Sequence, residues 1–152
     1  MTEYGMTEKP GVADAVHVSR GAIEAIARHG TQAYPHECCG ALIERDGLIV
    51  EAWPLDNTTT EGAARRFLVS PKDYRAAEAR AGAVGGTLAG FYHSHPDHPA
   101  RPSRHDLEHA WPNLSYVIVS VAEGIPGGLT CWRLRGDRSS FEKKDLRWPP
   151  VS

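Results

Sequence analysis

Cysteine is scarce in this chain, with 3 in 152 residues and two of them, Cys38 and Cys39, adjacent. Neighbouring cysteines are poorly placed to bridge each other, and an odd count leaves one over, so a reducing compartment is expected rather than a disulfide framework. Long apolar runs are missing too. None approaches the roughly 20 residues that a membrane-spanning helix needs. Residues 1–15 lack the basic start and apolar run of a secretory signal, and the expectation is a cytoplasmic protein. Charge of one sign is also absent: 17 Lys and Arg against 19 Asp and Glu give a formal net charge of −2. That removes the electrostatic reason to expect nucleic acid or an anionic membrane as partner. The basic residues between Arg133 and Lys144 alternate with Asp137 and Glu142, the pattern of a solvated face.

What is present fits one ordinary globular domain, with 41% hydrophobic and 24% charged residues. Gly5, Pro10 and Gly11 interrupt residues 1–15 without any apolar period, so a flexible tail is expected there, followed by a single domain over 16–148. Val16-His17-Val18 alternates like a strand. Ser19 caps a helix carried by Ala22, Ile23, Ile26 and Ala27 that Gly30 is expected to stop. Two apolar runs, Cys39 to Ile43 and Leu48 to Trp53, flank Arg45-Asp46-Gly47 and predict a hairpin. A loop is expected at 57–62 and a strand at Phe67-Leu68-Val69. Ser70 and Pro71 then open a helix through about Ala81, and Thr87 to Tyr92 form a buried strand. A short helix should run from Ser103 to near Trp111, since Pro112 follows. Strands are expected at Tyr116 to Val121, Leu129 to Leu134 and Ser139 to Leu146. The sum is an α+β domain with a mainly antiparallel sheet and a few helices.

The chemistry concentrates in His93-Ser94-His95-Pro96-Asp97-His98-Pro99-Ala100-Arg101-Pro102-Ser103-Arg104-His105-Asp106. Residues two apart on a strand share a face, so His93 and His95 can aim two imidazoles at one point. Three prolines stiffen the return to a helix whose first turn carries Asp106. Two imidazoles and one carboxylate leave a tetrahedral zinc ion one open position, the arrangement of catalytic rather than structural zinc. Ser103 and Asp106 also have the spacing of a capping box, which helix-start chemistry alone would account for. A competing pattern overlaps: His105-Asp106-Leu107-Glu108-His109 fits the inverted zincin motif His-x-x-Glu-His, on a helix only about two turns long. His98 lies in the proline loop, where a mobile lid residue is expected rather than a fourth ligand. Cys39 and Cys131 read as small core residues, while Cys38 alternates to the other face and could approach the histidines.

The spacing His-x-His, seven residues, Ser, two residues, Asp resembles the signature of the JAMM (MPN+) zinc metallopeptidases, and residues 93–106 match it without a gap. The segment Tyr34-Pro35-His36-Glu37-Cys38-Cys39-Gly40 is similar to the upstream stretch that carries the family's glutamate. The resemblance implies an MPN fold over roughly 16–135, with His93, His95 and Asp106 holding one Zn2+ per chain. It implies Glu37 as general base and Ser103 as donor to the developing oxyanion. The implied substrate is a peptide or isopeptide bond at the C-terminal Gly-Gly tail of a ubiquitin-like, β-grasp sulfur-carrier protein. Two alternatives stand beside it: a non-catalytic MPN scaffold, which would lack the ligand set this chain keeps, and a zinc peptidase or amidase for another peptide.

Overall fold

The computed structural model describes residues 15–56 and 69–148. The expected tail lies outside them except for Ala15, as do the loop at 57–62 and two residues of the strand expected at 67–69; Val69 itself precedes a helix without strand pairing. In chain order the elements are β1 (Val16–His17), α1 (Arg20–Ala33), β2 (Cys39–Arg45), β3 (Leu48–Leu55), α2 (Pro71–Ala83), β4 (Thr87–Pro96), α3 (Arg104–His109), β5 (Ser115–Ala122), β6 (Ile125–Leu134), β7 (Phe141–Lys144) and β8 (Leu146–Arg147). A six-stranded sheet has the order β3-β2-β4-β5-β6-β7, and β1 pairs with β8 in a separate ribbon. Within the large sheet only β4 and β5 run parallel, joined through the proline loop and α3; the remaining neighbours are antiparallel.

The hairpin of β2 and β3 forms where Asp46-Gly47 predicts it, because both residues adopt positive φ, 53° and 80°, as a two-residue turn of matching twist requires. Ser70 caps α2 through a bond from the Asp73 N–H, with Pro71 in the first turn. Gly30 does not stop α1, which continues to Ala33. Its missing side chain serves packing instead. A Cβ there would lie 3.0 Å from Val121 Cγ2 and 3.3 Å from Val119 Cγ1, so the glycine lets the helix sit close on β5.

The sheet separates two apolar clusters. On one face Ala22 and Ile26 of α1 pack with Leu42, Tyr92, Val117, Val119 and Cys131. On the other, Ala77 of α2 packs with Ala41, Phe91, Tyr116, Ala110 and Leu114. Ala41 and Leu42, Phe91 and Tyr92, and Tyr116 and Val117 divide between the two faces in turn, the period of two that a sheet covered on both sides demands. Each fully buried Ile, Leu or Phe contributes about 1.5–3 kcal/mol by leaving water. Following the same alternation, His93 and His95 share the face of Phe91, toward α2 and α3, and Ser94 points with Tyr92 toward α1. This parity puts His93 and His95 on the far side of the sheet from α1.

Candidate metal centre and hydrolytic site

Strand β4 ends at Pro96 beneath α3, and this places three donor atoms together. His93 Nε2 and His95 Nε2 are 3.1 Å apart, and each is 3.2 Å from Asp106 Oδ2. All three residues are buried. Among the described residues this is the group of His, Cys, Asp and Glu side chains arranged to hold an ion. A tetrahedral ion with bonds of about 2.0–2.1 Å needs donor–donor edges of about 3.3–3.4 Å. The triangle found here is smaller by about 0.2 Å, which small ring rotations supply, so the donor set fits zinc in size and chemistry.

The surroundings prepare each donor. His95 Nδ1 lies 2.9 Å from the carbonyl oxygen of Pro99. A carbonyl can only accept, so Nδ1 donates to it, and Nε2 is the ring atom left to face an ion. Burial holds the His93 imidazole below its usual pKa, against the pull of Asp106, and so favours the neutral ring. Burial works against ionisation of Asp106 as well, but the imidazoles of His93 and His95 and the backbone N–H of Ser103 outweigh it and hold the carboxyl below the ordinary carboxylate range.

Ser103 and Asp106 do form a capping box: the Ser103 hydroxyl oxygen accepts from the Asp106 N–H at 3.0 Å, and Asp106 Oδ2 accepts from the Ser103 N–H at 2.8 Å. Helix capping and site chemistry are compatible here. A hydroxyl that accepts from a backbone N–H still has its own O–H to donate, and Ser103 lines an open cleft together with Glu37, His95, His98, Pro99, Arg101 and Pro102.

Glu37 enters this cleft from the segment before β2. Cys39 pairs with His93 in register, which brings the start of β2 alongside the end of β4 that carries His93 and His95. One residue further, the Cys38 N–H donates to Ser94 Oγ at 2.9 Å and the Ser94 N–H donates to the Cys38 carbonyl at 3.1 Å. Two bonds therefore fix the residue next to Glu37. Only 5% of Glu37 is exposed, and burial, reinforced by the charge of Asp106, pushes its carboxyl from the ordinary 4.5 to about 9.

Other expectations meet a different arrangement. Cys38 does not approach the histidines: it packs in the α1 cluster, because it has the parity of Tyr92 and Ser94. Burial pushes its thiol up to about 11 and raises Cys39 further, so neither offers a thiolate. His105 and His109 stack with ring centroids 4.2 Å apart, His109 Nδ1 is bonded to the His105 carbonyl, and exposed Glu108 is paired with Arg104. His105, Glu108 and His109 thus sit on α3 but are not among the three clustered donors. The proline loop is tied down rather than lid-like. The Asp97 N–H donates to the Val121 carbonyl at 2.7 Å, Ser120 Oγ to the His98 carbonyl at 2.7 Å, and Thr130 Oγ1 to the Ala100 carbonyl at 2.6 Å. Tyr34 donates to Asp97 Oδ2 at 2.7 Å, linking the Glu37 segment to this loop. Sequence reasoning missed Ser94, Tyr34 and the Pro99 carbonyl. Ser94 was within reach, since its parity opposes the histidines; a backbone carbonyl leaves no trace in residue type.

Comparison with known proteins agrees with this picture. The family described as prokaryotic homologs of the JAB domain matches residues 19–135. Tail tip assembly protein K of Escherichia phage N15 is 36% identical over 103 residues, covering 67% of this chain but only 40% of the phage protein. The desampylase of Haloferax volcanii is 35% identical over 123 residues, 78% of this chain and 85% of the archaeal one. A solution structure of a Desulfitobacterium hafniense protein, 28% identical, superposes with a TM-score of 0.76 over 89% of this chain and 93% of that one. With a family match over most of its length, laid on an α+β fold that gathers His93, His95 and Asp106, the chain belongs to the JAB/MPN family, among its prokaryotic members.

Proposed function

We propose that this protein is a zinc-dependent hydrolase of the JAMM type, built as one domain over 16–148, that cleaves a peptide or isopeptide bond at the C-terminal Gly-Gly tail of a ubiquitin-like sulfur-carrier protein in the cytoplasm. The observation that carries the reading is the buried triangle of His93, His95 and Asp106, of which His95 faces a cleft shared with Glu37 and Ser103. Similarity to a desampylase supports a ubiquitin-like substrate. Zinc, when held by the three donors, supplies Lewis acidity toward the scissile carbonyl and makes a water acidic enough to attack near neutral pH. Glu37 takes the proton of the attacking water and returns it to the leaving amine, a role open to a carboxylate that is not itself a ligand. The Ser103 hydroxyl donates to the negative charge growing on the carbonyl oxygen. Glycine residues before the scissile bond allow the substrate backbone to come close to a narrow cleft.

Incubating the purified protein with a sulfur-carrier protein extended past Gly-Gly, and weighing the product, tests this directly. Shortening to Gly-Gly, abolished by a chelator and by Glu37→Gln, is the expected result. An unchanged mass with zinc bound would rule the substrate out. The likeness to a phage tail tip protein favours, as a second reading, another peptide or amide as substrate; zinc-loaded protein that spares the tail yet cuts a different peptide would carry it.

A further inference from the structure

Arg101 lines the cleft beside the proposed hydrolytic groups, and the stretch of the proline loop that carries it is tied down. Its N–H donates to the Pro99 carbonyl at 2.8 Å, the preceding carbonyl of Ala100 accepts from Thr130 Oγ1, and Pro102 follows. The side chain itself is exposed and lines the same cleft as Glu37, His95 and Ser103. Other arginines have partners within the fold: Arg104 pairs with Glu108, Arg133 donates to Ser115 Oγ, and Arg138 donates to the Ala110 carbonyl. Among the described residues no carboxylate or carbonyl takes up the Arg101 guanidinium. It is not spent on Glu37 either, whose proton affinity is set by burial and by Asp106.

A guanidinium fork on a pinned backbone, open to a cleft, is a device for gripping a carboxylate through two parallel N–H···O bonds. A glycine tail offers no anion on the acyl side of the scissile bond. The anion that a short extension always presents is its own α-carboxylate, on the leaving side. At roughly 3.3–3.6 Å per extended residue, a leaving group of one or two residues would bring that carboxylate within reach of an arginine side chain.

Resting on the hydrolytic reading above, we propose that Arg101 is a specificity-determining residue that binds the C-terminal α-carboxylate of the leaving group, so that the enzyme removes one or two residues from a free C-terminus. A long folded leaving group, or one joined through a lysine side chain, presents no carboxylate at that distance and is disfavoured.

The test uses zinc-loaded protein and three synthetic tails: one ending in Gly-Gly and a single residue with a free carboxylate, the same peptide amidated, and an amidated peptide with aspartate after Gly-Gly. For the wild type, kcat/KM for the free acid should exceed that for the amide by about 10- to 100-fold, the range for hydrogen bonds to charged groups. In Arg101→Ala the ratio should fall toward one, and Arg101→Lys, which keeps the charge but not the fork, should be intermediate. A wild-type ratio near one, or an unchanged ratio in Arg101→Ala, overturns the assignment. So does equal cleavage of the aspartate amide and the free acid, which would make the subsite one for acidic side chains. A second readout separates this inference from the proposed activity: fluorescence binding of labelled acid and amide to Glu37→Gln, with and without Arg101→Ala. If wild type cuts neither peptide but Glu37→Gln still prefers the acid through Arg101, the hydrolytic reading fails and the carboxylate subsite stands. If Glu37→Gln shows no preference, the subsite falls.

Discussion

Glu37 is a buried acid facing another acid, and both circumstances favour its protonated form. The linkage has a definite sign. The carboxyl has an ordinary value of 4.5 and is raised to about 9 in the folded, metal-free protein, so between those values the folded state binds the proton and the unfolded chain does not. Stability contributed by this group is therefore full below about pH 4.5 and is lost as pH rises toward 9. Thermal unfolding of metal-free wild type and Glu37→Gln from pH 5 to 9 should show the wild type falling behind the variant as pH increases; parallel curves would contradict the burial argument. A divalent ion beside Glu37 reverses the logic by favouring its carboxylate. In the zinc-loaded protein Glu37→Gln should keep the metal and lose about 10²–10⁴-fold in kcat. His93→Ala removes a ligand instead. Metal analysis should find close to one zinc per chain in wild type and far less in this variant, and equal contents would remove His93 from the metal centre.

At the scale of elements, α3 is a six-residue helix whose N-cap, Ser103, also lines the candidate cleft. Ser103→Ala should cost about 1 kcal/mol through the lost cap. The same change should lower kcat by about 10²–10³ if the hydroxyl donates to substrate. Ser103→Gly keeps most of the cap but has no hydroxyl, so a melt near that of the wild type with turnover lost as in Ser103→Ala separates catalysis from capping. The parallel pairing of β4 with β5 sets another limit. Gly90 faces Ser115, and a Cβ added at Gly90 would overlap the Ser115 backbone oxygen. Backbone cannot move aside as a side-chain tip can, so Gly90→Ala should destabilise by about 3 kcal/mol or more, at the upper end of overpacking costs. The strand it would displace carries both histidines, and zinc content should fall with the melting temperature. A variant that melts like wild type would contradict a close approach of β4 and β5 at Gly90.

At the scale of the whole molecule, the three donors come from the far end of β4 and from α3, and the unfolded chain has no such preformed triangle. An ion bound only by the folded state stabilises it by about 2.7 kcal/mol at a hundred times its dissociation constant. For a chain of this size that corresponds to a rise of about 5–10 °C in Tm. Chelation should reverse the rise, and Asp106→Asn should abolish it. A chelator without effect on wild-type Tm would count against a folded-state metal centre. No helix among the described residues is long and apolar enough to cross a membrane.

Whatever depends on local dihedral periods was legible in the residues alone. Alternation put His93 and His95 on one face, Asp46-Gly47 specified a hairpin, and Ser103 with Asp106 specified a helix start, because each rule acts over a few neighbouring residues. The match to a family pattern added Glu37, which local rules alone would have left as a surface acid. Tertiary structure decided the rest. The register of Cys39 against His93 brought Glu37 to the cleft and turned Cys38 away from it. Seating α1 on β5 turned Gly30 from an expected stop into a packing contact. The Pro99 carbonyl selected the His95 tautomer, and the hydroxyls of Ser120 and Thr130 fixed the loop that holds it. These outcomes depend on pairings between segments far apart in the chain, where packing and shared hydrogen bonds choose the partner and residue type at either end does not.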